Sequence, residues 1–241
     1  MTRLITIGSS SAGNSYAIDT GSEILLLEAG IKMAEVKRAI DFRLADVVGC
    51  VCSHVHGDHA KYATEYAKFG VKVYGPQDIA DKKLFPYEKF SVMKAGKTYR
   101  IGSFDVVPFE NFHDVPCYGY IVRHKDFGTL LFSTDTYKID VAVRGINHFL
   151  IEANYSDEIL KQNVWSGKID KAQADRVMLS HMSIEYCVKY LQDCEAKKAH
   201  TITLCHLSER NSNPMAFHEV VAGTFGVPVY VARKCSIINL V

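Results

Sequence analysis

Short apolar runs of strand length recur along the chain, and seven of them stop at or just before a residue that can bind a metal or move a proton. Ile24–Leu27 leads to Glu28, Val47–Cys52 to His54, Phe104–Phe109 to His113 and Leu130–Phe132 to Asp135. Phe149–Ile151 leads to Glu152, Arg176–Leu179 to His181 and Thr201–Cys205 to His206. Runs bounded in this way read as buried strands, and in layered α/β folds the chemistry gathers at the carboxyl ends of strands. Helical patterns lie between them. Asp58–Phe69 carries Ala60, Ala63 and Ala67 on one side, with Gly70 as its stop. Ser183 can cap a helix bearing Ile184, Cys187, Val188 and Leu191. Asn213 with Pro214 marks another start, and Gly226 its end. In both halves strands come first and strand–helix alternation follows. That order predicts one α/β domain over residues 1–241, with sheets inside and helices outside.

The most concentrated chemistry is Ser53-His54-Val55-His56-Gly57-Asp58-His59, which holds three of the ten histidines. Residues two apart in an extended segment point the same way, so His54 and His56 can share one ion. Gly57 lets the chain turn, and Asp58 and His59 can then face a second ion. Imidazole with carboxylate suits zinc, manganese or iron and not a structural thiolate site. Four ligands cannot complete two sites, so His113, Asp135 and His206 are the candidate distant partners, with Asp135 able to bridge because a carboxylate offers two oxygens. His54, His56, His113 and Asp135 would hold one ion; Asp58, His59, Asp135 and His206 the other. Two metals generate hydroxide at neutral pH and clamp attacking and leaving oxygens, which suits hydrolysis, with Asp58 among the catalytic candidates.

Composition narrows the rest. The 241 residues can bury a substantial core. Twenty-eight basic residues against twenty-seven acidic ones give no global basic field. The first residues lack a signal-peptide core, and no run approaches membrane-spanning length. Seven cysteines without a CxxC pair fit reduced thiols in a cytoplasmic protein. The oligomeric state is left open, a homodimer being one option. Gly8–Ser15 is a polar loop between strands without the GK[ST] of a phosphate loop; it is either a plain hairpin or a place for Asn14 to meet a substrate phosphate. Arg210 and Ser183 are further candidate substrate contacts. His124, His148, His200 and His218 fall outside these motifs and read as structural or surface residues.

Together, LLLEAG, SHVHGDH, His113 in NFHD, STDT at Asp135 and CHLS at His206 resemble the metallo-β-lactamase superfamily. The resemblance implies an αββα sandwich with a metal site at the sheet edges. IGSSSAGNSY, IEANYSDEIL, SHMS and HLSERNSNP are similar to the small YycJ/WalJ-like branch, whose members are described as manganese- or zinc-dependent nucleases, including a 5′→3′ exonuclease activity on double-stranded DNA. Glu28 stands where the superfamily usually has aspartate, and SHMS replaces the branch's GHLSN. Nothing corresponds to the cap of β-CASP nucleases or the protruding arm of ribonuclease Z. Glu152 and His181 resemble the pair that ribonuclease Z-type enzymes use to protonate a leaving alkoxide. The resemblance therefore implies two divalent ions (Zn2+ or Mn2+) and a phosphodiester substrate, nucleic acid ahead of a cyclic or small nucleotide, with lactone or thioester hydrolysis behind both.

Overall fold

The structure is a computed structural model that describes residues 1–83, 85–86 and 88–240. Two seven-stranded sheets face each other. The first contains β1 (Arg3–Ser10), β2 (Gly13–Asp19), β3 (Ile24–Leu27), β4 (Val47–Val51), β5 (Val73–Gly75) and β6 (Phe90–Val92). The second contains β7 (Tyr99–Ile101), β8 (Phe104–Asn111), β9 (Cys117–His124), β10 (Gly128–Ser133), β11 (His148–Glu152), β12 (Thr201–Cys205) and β13 (Val229–Val231). The last strand, β14 (Ile237–Asn239), returns to pair with β1 and closes the first sheet. In each sheet an antiparallel meander gives way to parallel strands: the switch comes at β3–β4 in the first and at β10–β11 in the second.

Alternation along each strand builds the layers. On β3, Leu25 and Leu27 enter the core between the sheets, while Ile24 and Leu26 enter a second core under the helices. Both faces are buried, which is why the strands read as continuous apolar runs. The outer core of the first sheet is covered by α1 (Met33–Ala39) and α3 (Ala63–Lys68) through Met33, Val36, Ala63 and Tyr66. That of the second sheet is covered by α7 (Ile184–Asp193) and α8 (Pro214–Phe225) through Cys187, Leu191, Phe217 and Val221. The αββα arrangement follows. Ser183 caps α7, Asn213 caps α8 with Pro214 at its first position, and Gly226 ends α8 with φ +68°. Among the described residues no helix is long and apolar enough to cross a membrane. All seven cysteines are free thiols, and six of them are buried.

Three expectations need correction. Arg176–Leu179 is not a strand: it lies within α6 (Lys171–Ser180), which forms a helical hairpin with α5 (Asp157–Trp165). The hairpin buries only Ala174 and part of Val177 from α6 against Tyr155, Leu160 and Ile169, while Met178 and Leu179 are exposed. Asp58–Phe69 is not one helix but α2 (Gly57–Ala60) and α3, because the Tyr62 backbone N–H donates to the Ala29 carbonyl at 2.9 Å and leaves the helical pattern. The polar stretch at 8–15 is mostly strand; only Ser11 and Ala12 form the hairpin turn.

Candidate metal centre

Seven side chains converge just past the carboxyl ends of strands from both sheets. β4 runs into Ser53–His59, β8 into His113, β10 into Asp135 and β12 into His206. Glu28, Asp135 and His206 all take left-handed backbone conformations, with φ of 68°, 51° and 53°. Such conformations are uncommon for residues other than glycine and are held only where the surroundings over-determine them. Here each lets the chain leave its strand sharply, which turns the side chain across the sheet edge instead of along the strand.

The donors fall into two groups. His54, His56 and His113 form one; Asp58, His59, Asp135 and His206 form the other, with the ligand atoms of each group lying within 4.8 Å of one another. Nδ1 of His56 is 3.2 Å from Nε2 of His113. Asp135 stands between the groups. Its Oδ2 is 3.8 Å from Nε2 of both His54 and His113, and its Oδ1 is 3.3 Å from Nε2 of His59. Donors on a tetrahedral ion with bonds of about 2.1 Å sit about 3.4 Å apart, so these separations fit coordination.

Two further observations fit the donors to cations. Nε2 of His54 and Nε2 of His206 are buried without a hydrogen-bond partner among the described residues, and an orphaned buried nitrogen costs free energy unless something binds it. The electrostatics agree. Burial works against charge on His59, yet Asp135, Asp58 and Glu28 hold it well above its ordinary value. Burial likewise opposes charge on His206, and Asp135, Asp58 and Glu152 outweigh it to hold that ring up to about 10. The carboxylates thus create a strongly negative pocket. His54 goes the other way: burial and the neighbouring His59 push it well down, leaving a neutral ring with a free lone pair.

Several of the candidate imidazoles are held from behind, as metal-bound imidazoles need to be. His113 Nδ1 donates to the Ser180 carbonyl (3.0 Å), and His54 Nδ1 meets the Ser53 hydroxyl (2.8 Å). His206 Nδ1 donates to Glu152 Oε1 (2.9 Å). Glu28 accepts from the Ser53 backbone N–H at 3.1 Å and 3.2 Å and lies 3.6 Å from His59, so it holds the base of the histidine loop. Gly30 explains the end of LLLEAG: a Cβ there would fall 1.8 Å from the Asp58 carbonyl oxygen.

Glu152 Oε1 also accepts from Nδ1 of His181 at 2.8 Å. His181 reaches this position as the C-cap residue of α6, not from a strand end. Burial lowers its basicity, but the Glu152 carboxylate outweighs that and raises it above the ordinary histidine value. The ring borders an open cleft of about 590 Å³ whose floor is formed by His56, Asp58, Asp135 and His206.

The candidate substrate contacts divide. Arg210 lines the cleft. Asn14 does not: it is fully buried, and its Nδ2 lies 3.1 Å from the Ser10 carbonyl, 3.1 Å from His59 Nε2 and 3.4 Å from Asp58 Oδ2, bracing the loop. Ser183 is also displaced from the expected role, because its hydroxyl caps α7 by accepting from Tyr186 N–H (3.2 Å) and faces a separate hollow beside Tyr155 and Tyr186. Among the cleft residues that carried no expectation, three stand out. Asp114 Oδ1 is 3.1 Å from His113 Nε2 and 3.5 Å from His56 Nε2. Asn154 donates to the His206 carbonyl at 2.8 Å. Arg176 comes from α6. Asp114 and Asn154 sit inside the quoted motifs NFHD and IEANYS, so the signal was adjacency to a ligand strand end.

No protein-family model matches the chain. Exodeoxyribonuclease WalJ of Streptococcus pneumoniae serotype 2 (strain D39 / NCTC 7466) is 26% identical over 231 residues, covering 86% of this chain and 81% of the relative. Exodeoxyribonuclease YycJ of Bacillus anthracis is 25% identical over 219 residues, covering 86% and 82%. Among solved structures, the metallo-β-lactamase fold protein YhfI from Bacillus subtilis superposes with a TM-score of 0.78 at 16% identity, over 99% of this chain and 100% of that one. The chain has the metallo-β-lactamase fold and is similar over most of its length to the two exodeoxyribonucleases.

Proposed function

We propose that the chain is a dinuclear metal-dependent phosphodiesterase that acts on nucleic acid, a nuclease of exonuclease type. The observation that carries this reading is the shared carboxylate of Glu152, which holds His206 among the metal donors and His181 at the cleft wall through one oxygen, at 2.9 Å and 2.8 Å. A hydrolase of activated esters needs no acid at that point; a phosphodiester with an alkoxide leaving group does. The names of the two similar exodeoxyribonucleases support DNA as the substrate class.

His54, His56, His113 and Asp135 would hold one ion, and Asp58, His59, Asp135 and His206 the other. Oxygen and imidazole donors suit zinc or manganese. Two such ions would supply the nucleophile at neutral pH and neutralise charge on the phosphate. The chain supplies the rest. Asp135 faces one oxygen to each donor group and so fixes their separation. Arg210 and Arg176 present guanidinium groups to the cleft, whose fork geometry suits phosphate oxygens. His181 donates Nδ1–H to Glu152, and its raised basicity lets Nε2 hold a proton for the departing oxygen.

The test is leaving-group dependence. General acid catalysis contributes about 10²–10⁴-fold, chiefly for poor leaving groups. His181→Ala should lose that factor on DNA, retain cleavage of bis(4-nitrophenyl) phosphate and keep normal metal content. Equal losses on both substrates, or loss of metal, would make His181 a ligand or scaffold residue and remove the carrying argument.

A further inference from the structure

The donor cleft is not closed on all sides. Ile169 and Arg210 line it and also line a second hollow of about 400 Å³, completed by Asn163 and Lys168. The second hollow lies against the α5–α6 hairpin, which has its own small apolar cluster apart from the sandwich cores. Buried Asn163 donates to the Arg210 carbonyl and to Asn211 Oδ1, both at 2.9 Å, tying the hairpin to the loop after β12. The backbone that carries Arg210 is fixed, while its guanidinium remains free.

Arg176 and Arg210 are the arginines that line the cleft, Lys168 lines the second hollow, and among the described residues none of the three side chains has a carboxylate or hydrogen-bond partner. Asp114 and Glu209 border the same cleft, so its lining carries both signs, with the arginines contributed by α6 and by the loop after β12. Lys168 sits in the turn Trp165-Ser166-Gly167-Lys168, held tight by Lys168 N–H donating to the Asn163 carbonyl (2.9 Å) and by Gly167 at φ +71°. The same turn presents Trp165, the only tryptophan of the chain, 91% exposed. Cations combined with an exposed aromatic ring, here three residues from Lys168 in the same turn, are what single-stranded nucleic acid uses: the cations track the backbone, and any base can stack on the ring.

We propose that the α5–α6 hairpin is a track for a single strand, with the phosphate next to the scissile one between Arg176 and Arg210, the following phosphate at Lys168, and a base stacked on Trp165. The track rests on the phosphodiesterase reading and selects a strand several nucleotides long over a mononucleotide or cyclic nucleotide.

The metal-loaded protein is assayed on single-stranded (dT)2, (dT)4, (dT)8 and (dT)16, with bis(4-nitrophenyl) phosphate as a substrate too short to reach the hairpin. Wild-type kcat/KM should rise with length. Trp165→Ala should lose roughly 5- to 150-fold on (dT)8, the equivalent of one base–aromatic stack. Lys168→Ala should lower the salt dependence by about 0.7 in log–log slope, one phosphate contact on a single strand. Both variants should match wild type on the small diester. Trp165 also reports directly: phosphorothioate-linked (dT)8 should quench its fluorescence, and dTMP at the same phosphate concentration should not. Absence of length dependence, wild-type behaviour on (dT)8 when Trp165→Ala and Lys168→Ala are combined, or no quenching overturns the track while cleavage of the small diester leaves the phosphodiesterase reading standing. Failure to cleave any diester, small or long, brings down both.

Discussion

The two halves of the sandwich deliver their donors differently. The first half places His54, His56, Asp58 and His59 in six consecutive residues. The second half delivers one donor per strand end, with His113, Asp135 and His206 separated by 22 and 71 positions (135 − 113 and 206 − 135). The loop is positioned by a few shared bonds: Glu28 to the Ser53 N–H, the Ala29 N–H to the His59 carbonyl at 2.7 Å, and the Tyr62 N–H to the Ala29 carbonyl. Disturbing any of them shifts several donors together. Each strand-end donor is instead fixed by its own pairing and its own backing group, so damage stays with one ligand. Contiguous donors are coupled, and dispersed donors fail singly, with Asp135 the exception because it faces both groups.

The largest effect should come from that exception. Asp135→Ala removes an oxygen from each donor group, and metal content should fall from two ions to less than one per chain. Turnover should drop by at least about 10²–10³-fold, the cost of losing one transition-state donor. Retention of one tightly held ion would show that Asp135 belongs to a single group. Next comes Glu28→Gln. Outer-sphere partners are worth 10–100-fold in metal affinity, and because Glu28 holds the shared loop, both ions should weaken in a competition titration with a chelator. Weakening of only one would break the coupling argument.

Much of this was legible along the chain. The histidine loop could be read because its donors are contiguous, and the distant candidate donors because an apolar run that stops at a ligand-type residue marks a strand end at the sheet edge. Sheets inside and helices outside followed from the same runs, while the αββα sandwich came from the resemblance of the motifs. What was not legible depends on tertiary closure. Val177, Met178 and Leu179 look like a strand, yet the helix they join buries one side against Tyr155, Leu160 and Ile169 and leaves Met178 and Leu179 exposed. The helix break at Tyr62 arises from a carbonyl thirty-three positions earlier (62 − 29). Asp114 and Asn154 acquire meaning only once His56 and His206 stand beside them. Left-handed Glu28, Asp135 and His206 carry no glycine signature, because packing imposes their conformation.

Smaller effects separate stability from the metal centre. Asp19 is buried away from the donors, and although burial raises its pKa, Arg3 at 2.6 Å, the Gly21 N–H and Arg43 at 3.0 Å together hold the carboxyl below the usual carboxylate range. A lowered folded value means stability that is fully present above the unfolded pKa of about 3.9 and is lost as pH falls through the folded value. Asp19→Asn should therefore cost about 2 kcal/mol at neutral pH. The gap to wild type should close below about pH 4, measured by denaturant unfolding, with metal content unchanged. The smallest effect is Ser183→Ala, which removes a helix cap and should cost about 1 kcal/mol without altering KM for DNA. A raised KM would return Ser183 to the substrate.

The central claim, that donors from the two halves meet as a pair of ion sites, is tested most directly by metal stoichiometry. Protein purified without chelators and re-equilibrated with excess Mn2+ or Zn2+ should retain two ions per chain after gel filtration, with diester cleavage abolished by chelator and restored by added metal. Retention of no ion, with full cleavage in the presence of chelator, would contradict it.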